Sequence, residues 1–139
     1  MSRGPENTFI ASVHRHLPAG VYSMKNHNEF NGGIADCWYS GRAGDLWIEY
    51  KFLVVPARAT TVISLVKDKD PMLSVLQQEW LRDRYEEGRQ VHVVVGCKEG
   101  GVILHNLAWM KPIAAEDFRE ALMSRKAIAE WITKRTQGP

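Results

Sequence analysis

The feature that most constrains the fold is a pair of apolar segments that flank a short glycine-bounded turn. The segments are residues 34–40 and 46–55, and Gly41 and Gly44 bound the turn between them. Both segments are rich in β-branched and aromatic residues, which is typical of strands. Two such runs joined by a short glycine-containing loop indicate a β-hairpin. We therefore predict an antiparallel hairpin with this turn as its loop.

The register of this hairpin brings charged residues together. The predicted loop places Trp38 opposite Trp47 and Asp36 opposite Glu49. Directly opposed residues of an antiparallel pair have Cβ atoms about 4.5–5.5 Å apart on one face of the sheet. Lys51 lies two residues beyond Glu49 and shares that face. Because two adjacent carboxylates in apolar strands repel each other, the pair is unfavourable unless a cation lies between them.

This charge arrangement indicates metal-assisted hydrolysis. Carboxylates and a backbone carbonyl are hard oxygen ligands that suit Mg²⁺, which keeps several waters for its substrate. Such an ion polarises a phosphoryl oxygen and lowers the pKa of bound water. A neighbouring lysine such as Lys51 can orient that water or stabilise developing charge. The alternative is an ordinary exposed hairpin face on which Glu49 and Lys51 form a solvated ion pair.

Three short sequence strings resemble one nuclease superfamily. G-I-A-D at 33–36 and I-E-Y-K at 48–51 resemble the PD-(D/E)xK motif, with alanine where the family often has proline. L-S-V-L-Q-Q-E-W-L at 73–81 resembles the glutamine helix of the VRR-NUC and Holliday-junction-resolvase-like branches, whose small stand-alone members often come from phages. The resemblance spans about residues 5–97. It implies an α/β, restriction-endonuclease-like core: a helix, a three-stranded antiparallel meander, a helix and a strand.

The resemblance also implies an activity. A family member of this kind is a Mg²⁺-dependent DNA endonuclease, with Mn²⁺ as a substitute, and is structure-selective on branched DNA. Asp36, Glu49 and the Tyr50 carbonyl match the metal ligands, and Lys51 matches the catalytic lysine. A homodimer with twofold symmetry would make paired nicks. The alternative is a non-catalytic nucleic-acid-binding or host-interaction module that retains the nuclease fold.

Two further residues match supporting positions of the family's site. Glu6 lies in a predicted helix at 5–17 and matches a glutamate that related resolvases carry there. Its alternative role is a first-turn acid that favours the helix dipole. Gln77 lies in a predicted helix at 73–88 and matches the family's glutamine. Its alternative role is the capping-box partner of Ser74, and the two roles can coexist.

Candidate DNA contacts lie outside the hairpin strands. Arg58 follows the hairpin in a loop, where a guanidinium can bind phosphate with bidentate geometry. Lys25, His27 and Asn28 belong to a polar stretch that leads to the hairpin, and loops beside a site often carry binding residues. Arg42 lies at the hairpin tip. For the lysine, His27, Asn28 and Arg42 a plain solvated role is the alternative.

The rest of the chain indicates further elements and one domain. The run 91–97 is almost entirely apolar, which suits a central strand buried on both faces. Apolar and β-branched patterns predict three more strands, and helical periodicity predicts a C-terminal extension that is basic outside. The predicted strands are 21–25, 60–66 and 102–107, and the predicted helical extension is 114–136. We expect a single nuclease domain over 1–139, with its core at about 5–107.

Charge, cysteines and histidines limit the other function classes. The net charge is only +2, so any nucleic-acid surface must be a local patch. Cys37 and Cys97 are expected to be free buried thiols of a reducing compartment. We expect the cytoplasm of a bacterial or phage-infected cell, since no signal-like or membrane-length apolar run is present. His14 and His16 are expected at the surface, and the pair at 92 and 105 is expected to pack or to lie at a strand edge.

Overall fold

The computed structural model describes residues 4–26, 32–67 and 69–139. The helices are α1 (Gly4–His14), α2 (Val75–Glu86), α3 (Ala115–Glu120) and α4 (Arg125–Gln137). The strands are β1 (Tyr22–Lys25), β2 (Cys37–Gly41), β3 (Gly44–Phe52), β4 (Val62–Ile63), β5 (Val91–Cys97), β6 (Gly100–His105) and β7 (Ile113–Ala114). A 3₁₀ turn covers Ala108–Met110.

The main sheet has five strands in the order β1-β2-β3-β5-β6. Strands β1 to β3 form an antiparallel meander. Strand β5 then lies parallel to β3, so the chain must cross over between them, and α2 is part of that crossover. Strand β6 returns antiparallel to β5. The predicted order of helix, three-stranded meander, helix and strand is confirmed.

The predicted register of the β2–β3 hairpin is also confirmed. Trp38 lies opposite Trp47, and Gly41 lies opposite Gly44 at the turn. Gly44 has φ +149°, a conformation that favours glycine. The prediction of a strand from residue 34 is wrong, because β2 begins only at Cys37. The backbone hydrogen bonds between β2 and β3 end there, because the Asp36 side chain, and not a main-chain carbonyl, accepts the Tyr50 N–H of β3.

Two helical layers cover the two faces of the sheet. On one face, α1 and α4 pack on β3, with Phe9, Ile48 and Ile132 in one buried cluster. On the other face, Leu81 of α2 belongs to a second buried cluster with Val93 of β5. The alternating side chains of β3 therefore divide between two environments. The predicted C-terminal helical region is two helices, of which α4 contributes to the first cluster.

A small second sheet lies beside the main one. Residues 60–66 were predicted as a strand, but only Val62–Ile63 pair, with Ile113–Ala114 as their partners. The strand ends at Ile63 because the chain then bends, and Ser64 Oγ accepts the N–H groups of Val66 and Lys67. Cys37 and Cys97 are free and buried, as predicted. Within the described residues, no helix is both long enough and apolar enough to cross a membrane.

Candidate active site

Asp36 and Glu49 form a buried pair of carboxylates where β2 begins beside β3. The Asp36 N–H donates to Glu49 Oε1 at 3.2 Å, and the Tyr50 N–H donates to Asp36 Oδ2 at 3.0 Å. Asp36 is 5% exposed and Glu49 is 1% exposed. The N–H and C=O of one strand residue point to the same strand edge. The Tyr50 carbonyl therefore lies on the Asp36 side of β3, so all three predicted metal ligands converge.

Lys51 and Gln77 both contact the same oxygen of Glu49. The Lys51 Nζ lies 3.2 Å from Glu49 Oε2, and the Gln77 Nε2 donates to that oxygen at 3.0 Å. The other end of the Gln77 side chain accepts from the Ser74 N–H at 3.0 Å, and Ser74 Oγ accepts from the Gln77 N–H. The capping box is present, and the same side chain reaches Glu49. The two roles that the sequence left open for Gln77 coexist.

Gly33 fixes the segment that leads to Asp36 against helix α2. Its φ is +95°, and a Cβ at this position would lie 2.5 Å from the Leu76 carbonyl oxygen. No L side chain fits that contact without moving backbone. The first turn of α2, which carries Gln77, is therefore held close to the Asp36 segment. The sequence prediction did not include Gly33, although the Gly32–Gly33 pair marked a special backbone position.

Burial and neighbouring acids disfavour the charged form of Glu49. Burial is the largest cause and the Asp36 carboxylate the next, and together they raise the pKa of Glu49 to about 8. Lys51 acts in the opposite direction, whereas the charge of Glu6 raises the pKa further. Glu6 in the first turn of α1 is therefore close enough to influence Glu49 electrostatically. A cation beside these acids would favour the ionised form.

The donor set fits a hard divalent cation. Two carboxylates and a backbone carbonyl are the ligand types that Mg²⁺ takes, with water in its other positions. The described residues contain no group of three or more His, Cys, Asp or Glu side chains that could hold a metal ion. Glu6 therefore does not complete a three-carboxylate cluster with Asp36 and Glu49. An ion held by the two carboxylates and the backbone carbonyl would take water and substrate in its other coordination positions.

The predicted DNA contacts that the structure describes lie at three different places in the fold. Arg58 is exposed in the loop after β3, and Arg42 is exposed at the hairpin tip. Lys25 donates to Asn7 of α1 and, by its strand position opposite Cys37, lies on the sheet face away from Lys51. The predictions for residues 27 and 28 fall outside the described residues.

The side chains of Tyr50, Tyr39 and His14 form a chain of hydrogen bonds that starts at the site residue Tyr50. The Tyr50 and Tyr39 hydroxyls lie 2.6 Å apart, and His14 Nε2 lies 2.7 Å from the Tyr39 hydroxyl. Burial, with a smaller effect of Lys25, lowers the pKa of His14. The prediction that His14 is a surface residue is wrong, because its partner comes from strand β2. No local pattern around His14 signals that contact.

Histidines 92 and 105 pack together, in line with the prediction. Their rings lie 5.4 Å apart, and both contact Trp131 of α4. Burial, then the neighbouring His105 and Arg135, lower the pKa of His92 to about 3. This pair therefore belongs to the packing between β5, β6 and α4, apart from the carboxylates.

Comparison with known proteins identifies the fold. No protein-family model matches the sequence, and no curated protein sequence matches it significantly. The structure is similar to that of Hjc, a Holliday junction resolvase from the archaeal hyperthermophile Archaeoglobus fulgidus. The TM-score is 0.54 at 12% sequence identity, and the match covers 93% of this chain and 98% of the resolvase. The chain therefore has the restriction-endonuclease-like α/β fold that the sequence resemblance implied.

Proposed function

We propose that this protein is a divalent-metal-dependent DNA endonuclease that hydrolyses phosphodiester bonds in branched DNA. The observation that carries the proposal is the buried Asp36–Glu49 pair, in which Glu49 also contacts Lys51 and Gln77. A buried carboxylate with a raised pKa and a lysine partner, such as Glu49, is typical of a functional site. The likeness in fold to an archaeal Holliday junction resolvase supports the substrate class by analogy.

Asp36, Glu49 and the Tyr50 carbonyl would hold Mg²⁺ or Mn²⁺. The ion, when bound, supplies a polarised phosphoryl oxygen and an acidified water. The protein holds its ligands in fixed positions, because Glu49 accepts the Asp36 N–H and Asp36 accepts the Tyr50 N–H. Such preorganised ligands need little rearrangement when the substrate arrives.

Lys51 and Gln77 orient the carboxylate and its surroundings. Gln77 is anchored by the cap of α2, so its amide holds Glu49 in one orientation. Lys51 lies beside the same oxygen and is 12% exposed, so it can reach a phosphate that approaches from solvent. There it would stabilise the charge that develops on the scissile phosphate or orient the attacking water. Glu6 acts from the first turn of α1 through its charge.

Metal binding and cleavage together test the proposal. Calorimetry with Mg²⁺ and Mn²⁺ should give binding to the wild type and little to Asp36→Asn. A gel assay with four-way junction, flap, duplex and single-stranded DNA should then give metal-dependent cleavage of the branched substrates. Absence of both metal binding and cleavage would favour a non-catalytic nucleic-acid-binding module with this fold. Cleavage of plain duplex alone would reject the branched substrate but keep the nuclease.

A homodimer is part of this proposal, because symmetric incision of a junction needs two active sites. A twofold axis relates two identical sites in such an assembly. Light scattering at micromolar protein concentration should give the mass of a dimer. A monomer under those conditions would favour processing of nicks or flaps, which needs one cut.

A further inference from the structure

Two open grooves meet at the carboxyl ends of strands β3 and β5. Phe52, the last residue of β3, and Lys98, which follows β5, line both of them. One groove of about 320 Å³ continues along residues 53–55 towards α3. The other, of about 600 Å³, continues between α1 and the start of α4. Ligands of open α/β sheets commonly bind at the carboxyl ends of strands.

The charged side chains that line these grooves are mostly cationic. There are four cations and one acid, Glu99. The cations are Arg15, Lys98, Arg119 and Arg125. We call the two adjoining grooves, with these four cations, the basic groove. The whole chain has a net charge of only +2, so positive charge is concentrated here. A local patch of this kind is the electrostatic signature of a polyanion-binding surface.

Two of these cations are held in place by neutral acceptors. Arg125 donates to Ser12 Oγ at 2.8 Å and to the Cys97 carbonyl at 3.2 Å, and its guanidinium lies over the Phe9 ring. Arg119 donates to the Pro56 carbonyl at 2.6 Å. Within the described part of the chain, no ion pair joins any of the four cations to a carboxylate. The orientation of Arg119 and Arg125 is therefore fixed, while no carboxylate neutralises their charge.

The basic groove lies at the end of β3 that carries the candidate active site. Glu49 and Lys51 come just before Phe52, the last residue of β3, which lines both grooves. Pro5 of α1 lines one groove, and its neighbour Glu6 acts on Glu49 through its charge. A DNA strand bound in the groove would therefore lie at the same end of β3 as the carboxylate pair.

We propose that the basic groove binds the phosphodiester backbone of a duplex DNA arm that extends from the candidate active site. This inference rests on the proposed function and adds to it the path of the DNA. Planar guanidinium groups that keep free N–H donors suit phosphate oxygens. Contacts to the backbone position a duplex without reading its sequence, which is the requirement for an enzyme that recognises branching. This path of the DNA differs from the path predicted from the sequence, which would contact Arg58, Lys25 and Arg42.

A double variant and a charge-matched control test the path. Arg15→Gln/Lys98→Gln removes two exposed cations and leaves Arg119 and Arg125, which hydrogen-bond to the protein, in place. The control, Arg89→Gln/Lys111→Gln, removes two exposed cations that line neither groove. Binding of labelled duplex and four-way-junction DNA is measured by fluorescence anisotropy across a salt series in Ca²⁺. Circular dichroism melting checks that both variants fold.

The expected result is a weaker and less salt-dependent complex for the groove variant only. Each lost phosphate contact flattens the slope of log K against log salt by about 0.9, so the double variant should lose about 1.8. Equal slopes for the groove variant and the wild type would overturn the path, and cleavage by the wild type would still uphold the proposed function. DNA binding without any cleavage would retain the path and reject the nuclease. No DNA binding by the wild type would reject both.

A second polyanion distinguishes nucleic acid from anions in general. Polyglutamate of matched charge competes with the labelled DNA in the same assay. Weak competition is expected, because carboxylate side chains on a flexible chain do not reproduce the phosphate spacing of a duplex. Competition as strong as that of unlabelled duplex would overturn the DNA assignment and leave a general anion surface.

Discussion

Gln77 links the first turn of helix α2 to Glu49 through one side chain. Its carbonyl oxygen accepts from the Ser74 N–H, and its amide donates to Glu49 Oε2, each at 3.0 Å. The helix cap and the candidate site thus share the Gln77 side chain, and two substitutions can measure its two roles separately. Ser74→Ala removes the hydroxyl half of the capping box, whereas Gln77→Glu retains a capping residue and removes the amide donor.

These two variants should fail in different ways. Ser74→Ala should lose about 1 kcal/mol of stability and keep its cleavage rate per folded molecule. Gln77→Glu should lose about tenfold or more in cleavage, because a hydrogen bond to a charged group contributes about 1.5–3 kcal/mol. Thermal melts and single-turnover cleavage on the same preparations provide the measurements. If Gln77→Glu changes only the melting temperature, its role is confined to the cap.

Asp36→Asn should abolish metal-dependent cleavage and leave the fold intact. An asparagine oxygen can still accept the Tyr50 N–H that Asp36 Oδ2 accepts now. Without metal and above about pH 8, where Glu49 is ionised, the variant should melt at a higher temperature than the wild type, because the repulsion between two adjacent carboxylates is relieved. The control is Asp45→Asn, which changes an exposed acid of the same hairpin. Full cleavage by Asp36→Asn would remove Asp36 from the site.

Lys51 and Arg58 should have different roles at the phosphate: Lys51 should act in cleavage and Arg58 in DNA binding. Lys51→Met should bind DNA in Ca²⁺ nearly as well as the wild type and lose about 10²-fold in single-turnover cleavage, the scale of one transition-state donor. Arg58→Ala should bind more weakly, with a flatter salt dependence, and recover much of its cleavage at high protein concentration. The opposite pattern would put Arg58 in the catalytic centre and Lys51 among the binding groups.

The metal-free protein should lose stability as the pH rises from about 4.5 to 8. The unfolded chain releases the Glu49 proton near its ordinary pKa of 4.5, whereas the folded protein retains it until about pH 8. Between these values ionisation favours unfolding, so the contribution is complete below pH 4.5 and lost above pH 8. Denaturant unfolding of the wild type and Glu49→Gln in chelator measures the difference. Parallel stability profiles for the two proteins would contradict a raised pKa at Glu49.

The hairpin and the glutamine helix could be predicted because their signals are local. The glycines at 41 and 44 fix the turn, and the turn fixes which residues of β2 and β3 are opposed. The Ser74–Gln77 spacing specifies a capping box without reference to the rest of the chain. The meeting of Asp36, Glu49 and Lys51 follows from that register and from strand alternation alone.

The remaining features depend on partners that are distant in the sequence. Val62–Ile63 form a strand only because Ile113–Ala114 reach them. His14 is partly buried because Tyr39 meets it from the sheet. The basic groove combines α1, α4 and the strand ends, so no window of sequence contains its four cations. Periodicity describes one element at a time, and such contacts are properties of the assembled tertiary structure.

The crossover between β3 and β5 sets the order in which the site can be completed. The hairpin that carries Asp36 and Glu49 is a local structure, which forms early in folding at low cost in chain entropy. Gln77 reaches Glu49 from helix α2, which packs on β5, the strand beside β3. During synthesis the two acids are thus present before their glutamine partner. A ribosome-bound chain that has not yet added β5 lacks the strand on which α2 packs, so the proposed nuclease activity would begin only after the polypeptide has folded beyond that strand.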